Sequence, residues 1–69
     1  MSALLRVNDK MITLDKVYNV KFNFGENFIY GLGIVYSDSD YETVDILIHN
    51  GGVTTQNIEN VIFLNQIHQ

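Results

Sequence analysis

Apolar residues in this chain recur at every second position. Tyr18, Val20, Phe22 and Phe24 fall on one face of an extended segment, with Asn19, Lys21 and Asn23 on the other, and Val44, Ile46 and Ile48 repeat the pattern. Alternation of this kind marks a half-buried strand, because successive side chains of extended backbone leave on opposite faces. No apolar stripe holds helical spacing over about ten residues. β-Branched residues, which suit a pleated surface, are enriched throughout. The chain is expected to be all-β.

Turn-forming clusters stand where a meander needs them. Asn8-Asp9, Gly25-Glu26-Asn27, Ser37-Asp38-Ser39-Asp40 and Asn50-Gly51-Gly52 separate the alternating segments, and Asn-Gly is a strong hairpin signal because both residues accept positive φ. Strands are expected at about 3–7, 11–14, 18–24, 28–36, 41–49, 52–55 and 60–66, with a single 3₁₀ turn at Gln56 to Glu59. There is also a faint internal echo. Residues 7–13 parallel 49–55, and Val17-Tyr18-Asn19-Val20-Lys21-Phe22 parallels Ile58-Glu59-Asn60-Val61-Ile62-Phe63. Each copy would then be strand, tight turn, strand, one helical turn, strand, an outline that any two hairpins followed by a corner also share.

Residues 17–66 carry a more specific pattern. Tyr30-Gly31-Leu32-Gly33-Ile34-Val35 is followed by an acidic loop, then Val44-Asp45-Ile46-Leu47-Ile48, a glycine turn, Val53-Thr54-Thr55, the expected 3₁₀ turn, and Val61. This order resembles the small barrels of the Src-homology-3-like superfold, of the kind found in Tudor, KOW and CarD-like domains. The resemblance covers residues 17–66 and leaves the first hairpin outside it; with the length of the chain, the expectation is one small β domain over 1–69, a barrel or sandwich of about seven short antiparallel strands. Residues 17–66 would form its core, and residues 1–16 an extra N-terminal hairpin. The resemblance is at the level of fold and brings no function with it. Gly31 and Gly33 fall on one face of a strand, where missing side chains let a sheet coil sharply or another backbone approach.

Sixty-nine residues is near the lower limit for a single core, since a chain of this size buries only about 60% of its unfolded surface. There is no cysteine to form a disulfide, and His49 and His68 cannot make a four-ligand zinc site alone. Self-association is the remaining device. It is also suggested by the segment 28–36, which is apolar on both faces: Phe28, Tyr30, Leu32, Ile34 and Tyr36 on one, Ile29 and Val35 with the two glycines on the other. The C-terminal strand, with Val61 and Phe63 opposing Ile62 and Leu64, has the same character. A homo-oligomer is expected, the alternative being an N-terminal hairpin folded across the second face. The N-terminus lacks the apolar core of a secretory signal and the longest apolar run is too short to span a bilayer, so a cytoplasmic protein without membrane contact is expected.

Charge is strongly polarised along the chain. Residues 1–21 hold all four cations (Arg6, Lys10, Lys16, Lys21) and two carboxylates, and residues 22–69 hold six carboxylates and no cation. Nucleic acid is therefore not the expected partner, because affinity for it comes largely from neutralising phosphates. The lysines are assigned instead to keeping edge strands soluble. A field of one sign concentrates the opposite one, so a basic protein partner is expected.

The densest negative patch is Asp38, Asp40, Glu42 and Asp45, the first three alternating so that extended backbone would point them to one side. With Ser37 and Ser39 they could offer oxygen ligands to calcium, but the glycine and distal glutamate of an EF-hand loop are missing and His49 stands where that glutamate would fall. No metal is assigned. The patch is taken as the partner-binding surface, together with Tyr30, Tyr36 and Tyr41. His49 has no serine or cysteine nucleophile assigned to it, and no pair of carboxylates in contrasting environments is evident, so neither catalysis nor a cofactor is expected. Gly31-x-Gly33 lies inside a strand with no helix after it, which excludes a dinucleotide fingerprint. The reading is a non-enzymatic acidic interaction module, similar in kind to small acidic phage inhibitors that occupy a nucleic-acid-binding surface. Its alternatives are a homo-oligomer holding a small metabolite or nucleotide between subunits, and a structural subunit of a larger assembly.

Overall fold

The computed structural model describes residues 3–68, which form seven antiparallel strands and one 3₁₀ turn. The strands are β1 (Leu4–Val7), β2 (Lys10–Thr13), β3 (Tyr18–Phe24), β4 (Asn27–Ile34), β5 (Thr43–Ile48), β6 (Val53–Asn57) and β7 (Val61–Gln66), with the 3₁₀ turn at Ile58–Asn60. β1 and β2 make a separate hairpin, and the rest form one sheet in the order β6-β5-β4-β3-β7. Four consecutive strands thus meander, and the last returns beside the first. No described helix is long and apolar enough to cross a membrane.

The alternation sorts side chains as the sequence requires. Tyr18, Val20 and Phe22 of β3, Val44 and Ile46 of β5, and Val61 and Phe63 of β7 are buried on the inner face. Val7, Ile12 and Leu14 of the hairpin segment join them, with Val35, in the same hydrophobic cluster. The hairpin therefore covers the inner face, and the opposite face of β4 is left open. Tyr18 ties the layers together: its ring meets Phe63 edge-on at 5.6 Å, and its hydroxyl accepts the Thr13 amide at 2.8 Å and donates to Gln66 Oε1 at 3.4 Å.

The two sheets do not close into a barrel. The five-stranded sheet keeps two edges, β6 and β7. At the β7 edge Lys10 Nζ donates to the Phe63 carbonyl at 2.6 Å and to that of Leu64 at 3.4 Å. A lysine satisfying edge carbonyls deters further strand pairing. A bulge between Asn19 and Val20 in the β3–β7 ladder further bends this edge.

Gly31 and Gly33 both face inward. A Cβ at Gly31 would lie 2.6 Å from Ile46 Cγ2 and 2.7 Å from the Leu47 carbonyl oxygen, so the close approach of β4 to β5 depends on its absence. The internal echo survives in part. Val20 pairs with Phe63 and Phe22 with Val61, so the shared Val-x-Phe segments face each other about a local two-fold. The helical turn is present only in the second copy; its counterpart is a bend at Asp15 with φ 65°. That turn covers Ile58–Asn60, two residues beyond the expected start, because β6 runs on to Asn57.

Candidate functional site

The acidic segment between β4 and β5 is a wound loop, and the expected extension of β4 to residue 36 and of β5 back to 41 does not occur. The reason lies in where its backbone bonds go. The Val35 carbonyl accepts the Asp15 amide at 2.8 Å, and Asp15 Oδ1 accepts the Ser37 amide at 2.9 Å, so the chain leaves the sheet there. The Tyr36 carbonyl then accepts the amide of Ser39 at 3.1 Å and its hydroxyl at 2.7 Å. Asp40 Oδ1 accepts the Glu42 amide at 2.9 Å, and the Tyr41 hydroxyl donates to the Ser37 carbonyl at 2.7 Å. Tyr41 itself adopts φ 64°, an unusual conformation for an aromatic residue that the surrounding bonds must hold in place. Asp38, Asp40 and Glu42 are all exposed, but they do not line up on one side of an extended chain.

Asp15 anchors this loop from below. The Ser37 amide, then the Ser37 hydroxyl, and more weakly the nearby Lys16 charge hold its carboxyl below the ordinary aspartate value of 3.8 against a small opposing effect of desolvation. Hydrogen bonds that favour the ionised form act in this direction.

The seven residues assigned to partner binding divide between two surfaces. Tyr41 and Glu42 line a shallow depression with Asn57, Ile58 and Glu59 at the loop end. There the Ile58 amide donates to the Glu42 carbonyl at 2.9 Å and brings Glu59 into the acidic surface. Glu59 was not singled out in the sequence, where it stands 17 positions from Glu42; its only signal was the expected turn beside it. Tyr36 and Asp45 lie instead in an open groove on the outer sheet face, with Leu32, Leu47 and Val53. Asp45 Oδ1 accepts the Thr55 hydroxyl at 3.0 Å across the β5–β6 ladder. Tyr30 lies further along β4, beside Asn19 and His49. Among the described residues no group of three histidine, aspartate or glutamate side chains is arranged to hold a metal ion.

Two of the four cations have internal contacts. Lys10 bonds the β7 carbonyls, and Lys21 Nζ sits 4.4 Å from the centre of the Phe28 ring. No family model matches the chain, and neither a curated protein nor a solved structure is found to match it.

Proposed function

We propose that this chain is a non-enzymatic interaction module whose acidic loop end docks on a basic protein surface, of the kind that otherwise binds nucleic acid. One observation carries the reading: Asp38, Asp40 and Glu42 stand exposed on a loop already wound by its own hydrogen bonds. A loop ordered before encounter loses less conformational entropy on binding, so more of the charge attraction appears as affinity. Tyr41 and Glu59 extend the same surface. The element order of residues 17–66, a four-strand meander, a 3₁₀ turn and a last strand laid against the first, supports a fold of Src-homology-3-like kind with the sheet left open.

The test uses a lysine-rich DNA-binding domain and its duplex as probe. The protein should compete with the duplex for the domain. The variant with Asp38→Asn, Asp40→Asn and Glu42→Gln should associate about tenfold more slowly at low salt, because removing steering charges acts on encounter. Its thermal melt should match that of the parent. An unchanged association rate for the triple variant overturns the assignment.

A further inference from the structure

The outer face of the sheet is apolar where a solvent-facing sheet would be polar. Phe28, Tyr30 and Leu32 of β4, Leu47 of β5, Val53 of β6 and Ile62 of β7 project from it, each between 38% and 70% exposed. With about 150–250 Å² available on an aromatic side chain and somewhat less on an aliphatic one, these six expose on the order of 550 Å². That is at the upper end of the largest patch on a typical monomer, roughly 300–600 Å². With a polar rim it reaches the roughly 800 Å² per partner of a standard stable interface.

The charges on this face are arranged for a particular occupant. Lys21 pairs with Tyr30 on one side of β4, and Asp45 pairs with Ile34 on the other. Leu32 lies midway between Tyr30 and Ile34, and its own neighbours are Asn19 and Leu47. Lys21 and Asp45 are therefore placed symmetrically about Leu32: one strand to either side of it, two residues up and two residues down. A two-fold interface must carry both members of every ion pair on the same patch, and this patch does. We propose that two copies of the chain associate through this face about a two-fold axis passing by Leu32, each copy's Lys21 meeting Asp45 of the other. With strands about 4.8 Å apart and a rise of about 3.3 Å per residue, this axis crosses the strands of the two copies at roughly 70°. That is close to the orthogonal class of sheet packing. The acidic loop is not needed for this contact, so the dimer stands or falls separately from the function proposed above.

The experiment is sedimentation equilibrium on the full chain. The parent should have twice the 7.9 kDa of one chain. Lys21→Glu and Asp45→Lys should each raise the dimer dissociation constant at least about tenfold, since one substitution disrupts both symmetric pairs. The double variant, which restores opposite charges across the axis, should return to within about threefold of the parent. Because the chain has no cysteine, Leu32→Cys introduces a unique thiol, which a short bifunctional maleimide should couple to its own copy. Asn23→Cys, on the same face but off the axis, should not couple. A parent that stays monomeric up to roughly 100 µM overturns the proposal, because such a dimer would be weaker than most specific contacts. So does a double variant as weak as the single ones, which would mean that another surface or another partner accounts for the apolar face.

Discussion

Replacing Gly31 by alanine should be among the most costly single-methyl additions this fold can receive. The new Cβ would point inward, 2.6 Å from Ile46 Cγ2 and 2.7 Å from the Leu47 carbonyl oxygen. Non-bonded carbons rest at about 3.5–4.0 Å, so the overlap is on the order of 1 Å. Neither neighbour yields easily. Ile46 is fully buried, and the Leu47 carbonyl belongs to a strand held between β4 and β6. Overpacking of this kind costs about 1–3 kcal/mol, less roughly 0.4–1 kcal/mol gained because alanine restricts the unfolded chain. A net loss of about 1–2 kcal/mol is expected. At roughly 0.05–0.15 kcal/mol per residue, a chain this short has about 3–10 kcal/mol in all, so Gly31→Ala should remove an appreciable share of it and lower Tm by about 4–16 °C. Gly25→Ala is the control. Its φ is 67° and nothing lies within 4 Å of a Cβ there, so only backbone strain of about 1–2 kcal/mol opposes the change, offset in part by the same unfolded-state gain. Urea unfolding followed by circular dichroism, at one fixed protein concentration, should rank Gly31→Ala below Gly25→Ala with unchanged m-values. A Gly31→Ala protein within 0.5 kcal/mol (about a twofold change in equilibrium constant) of the parent would refute the account of the β4–β5 approach.

Tyr18→Phe should cost about 1–2 kcal/mol in the same assay. It leaves the edge-on contact with Phe63 in place and deprives the Thr13 amide of its acceptor, so hydrogen exchange at Thr13 should accelerate. Asp15→Asn keeps an acceptor for Ser37 and tolerates φ 65°, and so isolates the charge. Because folding lowers the Asp15 pKa, its contribution is fully present above the ordinary value of 3.8 and is lost as pH falls from there through the folded value. The parent should therefore be the more stable at neutral pH, and the difference should vanish in acid, as pH-dependent thermal melts would show.

How much of this could be read from the sequence follows the range of the interactions involved. β3 was legible to the residue, Tyr18–Phe24, because strict alternation and the turn at Gly25 are both local. The two apolar sides of β4 were legible for the same reason, and the burial of Gly33 and Val35 against the exposure of Phe28, Tyr30 and Leu32 follows it. The acidic loop was legible in composition but not in shape. Its winding depends on Asp15, 22 residues away from Ser37, and on a tyrosine at positive φ, which no local preference announces. Glu59 joins the acidic surface through a bond between Ile58 and Glu42 that no periodicity encodes. The open sheet was not legible either: the place of β7 beside β3, and the bond from Lys10 to the Phe63 carbonyl 53 residues away, are distant contacts that no local pattern encodes.

The position of β7 beside β3 has a consequence for how the protein is made. β3 ends at Phe24 and its partner β7 ends at Gln66, so one edge of β3 stays unpaired until about forty further residues have followed it out of the ribosome. At about 5–20 residues per second, that interval lasts roughly 2–8 s. During it the hairpin of β3 and β4 can form but has no β7 to shield Val20 and Phe22, and chains stalled or truncated before residue 61 should be captured by chaperones or by one another. For the nascent protein β7 is the stopper that ends this exposure, and of the strands in the sheet it is the last to arrive.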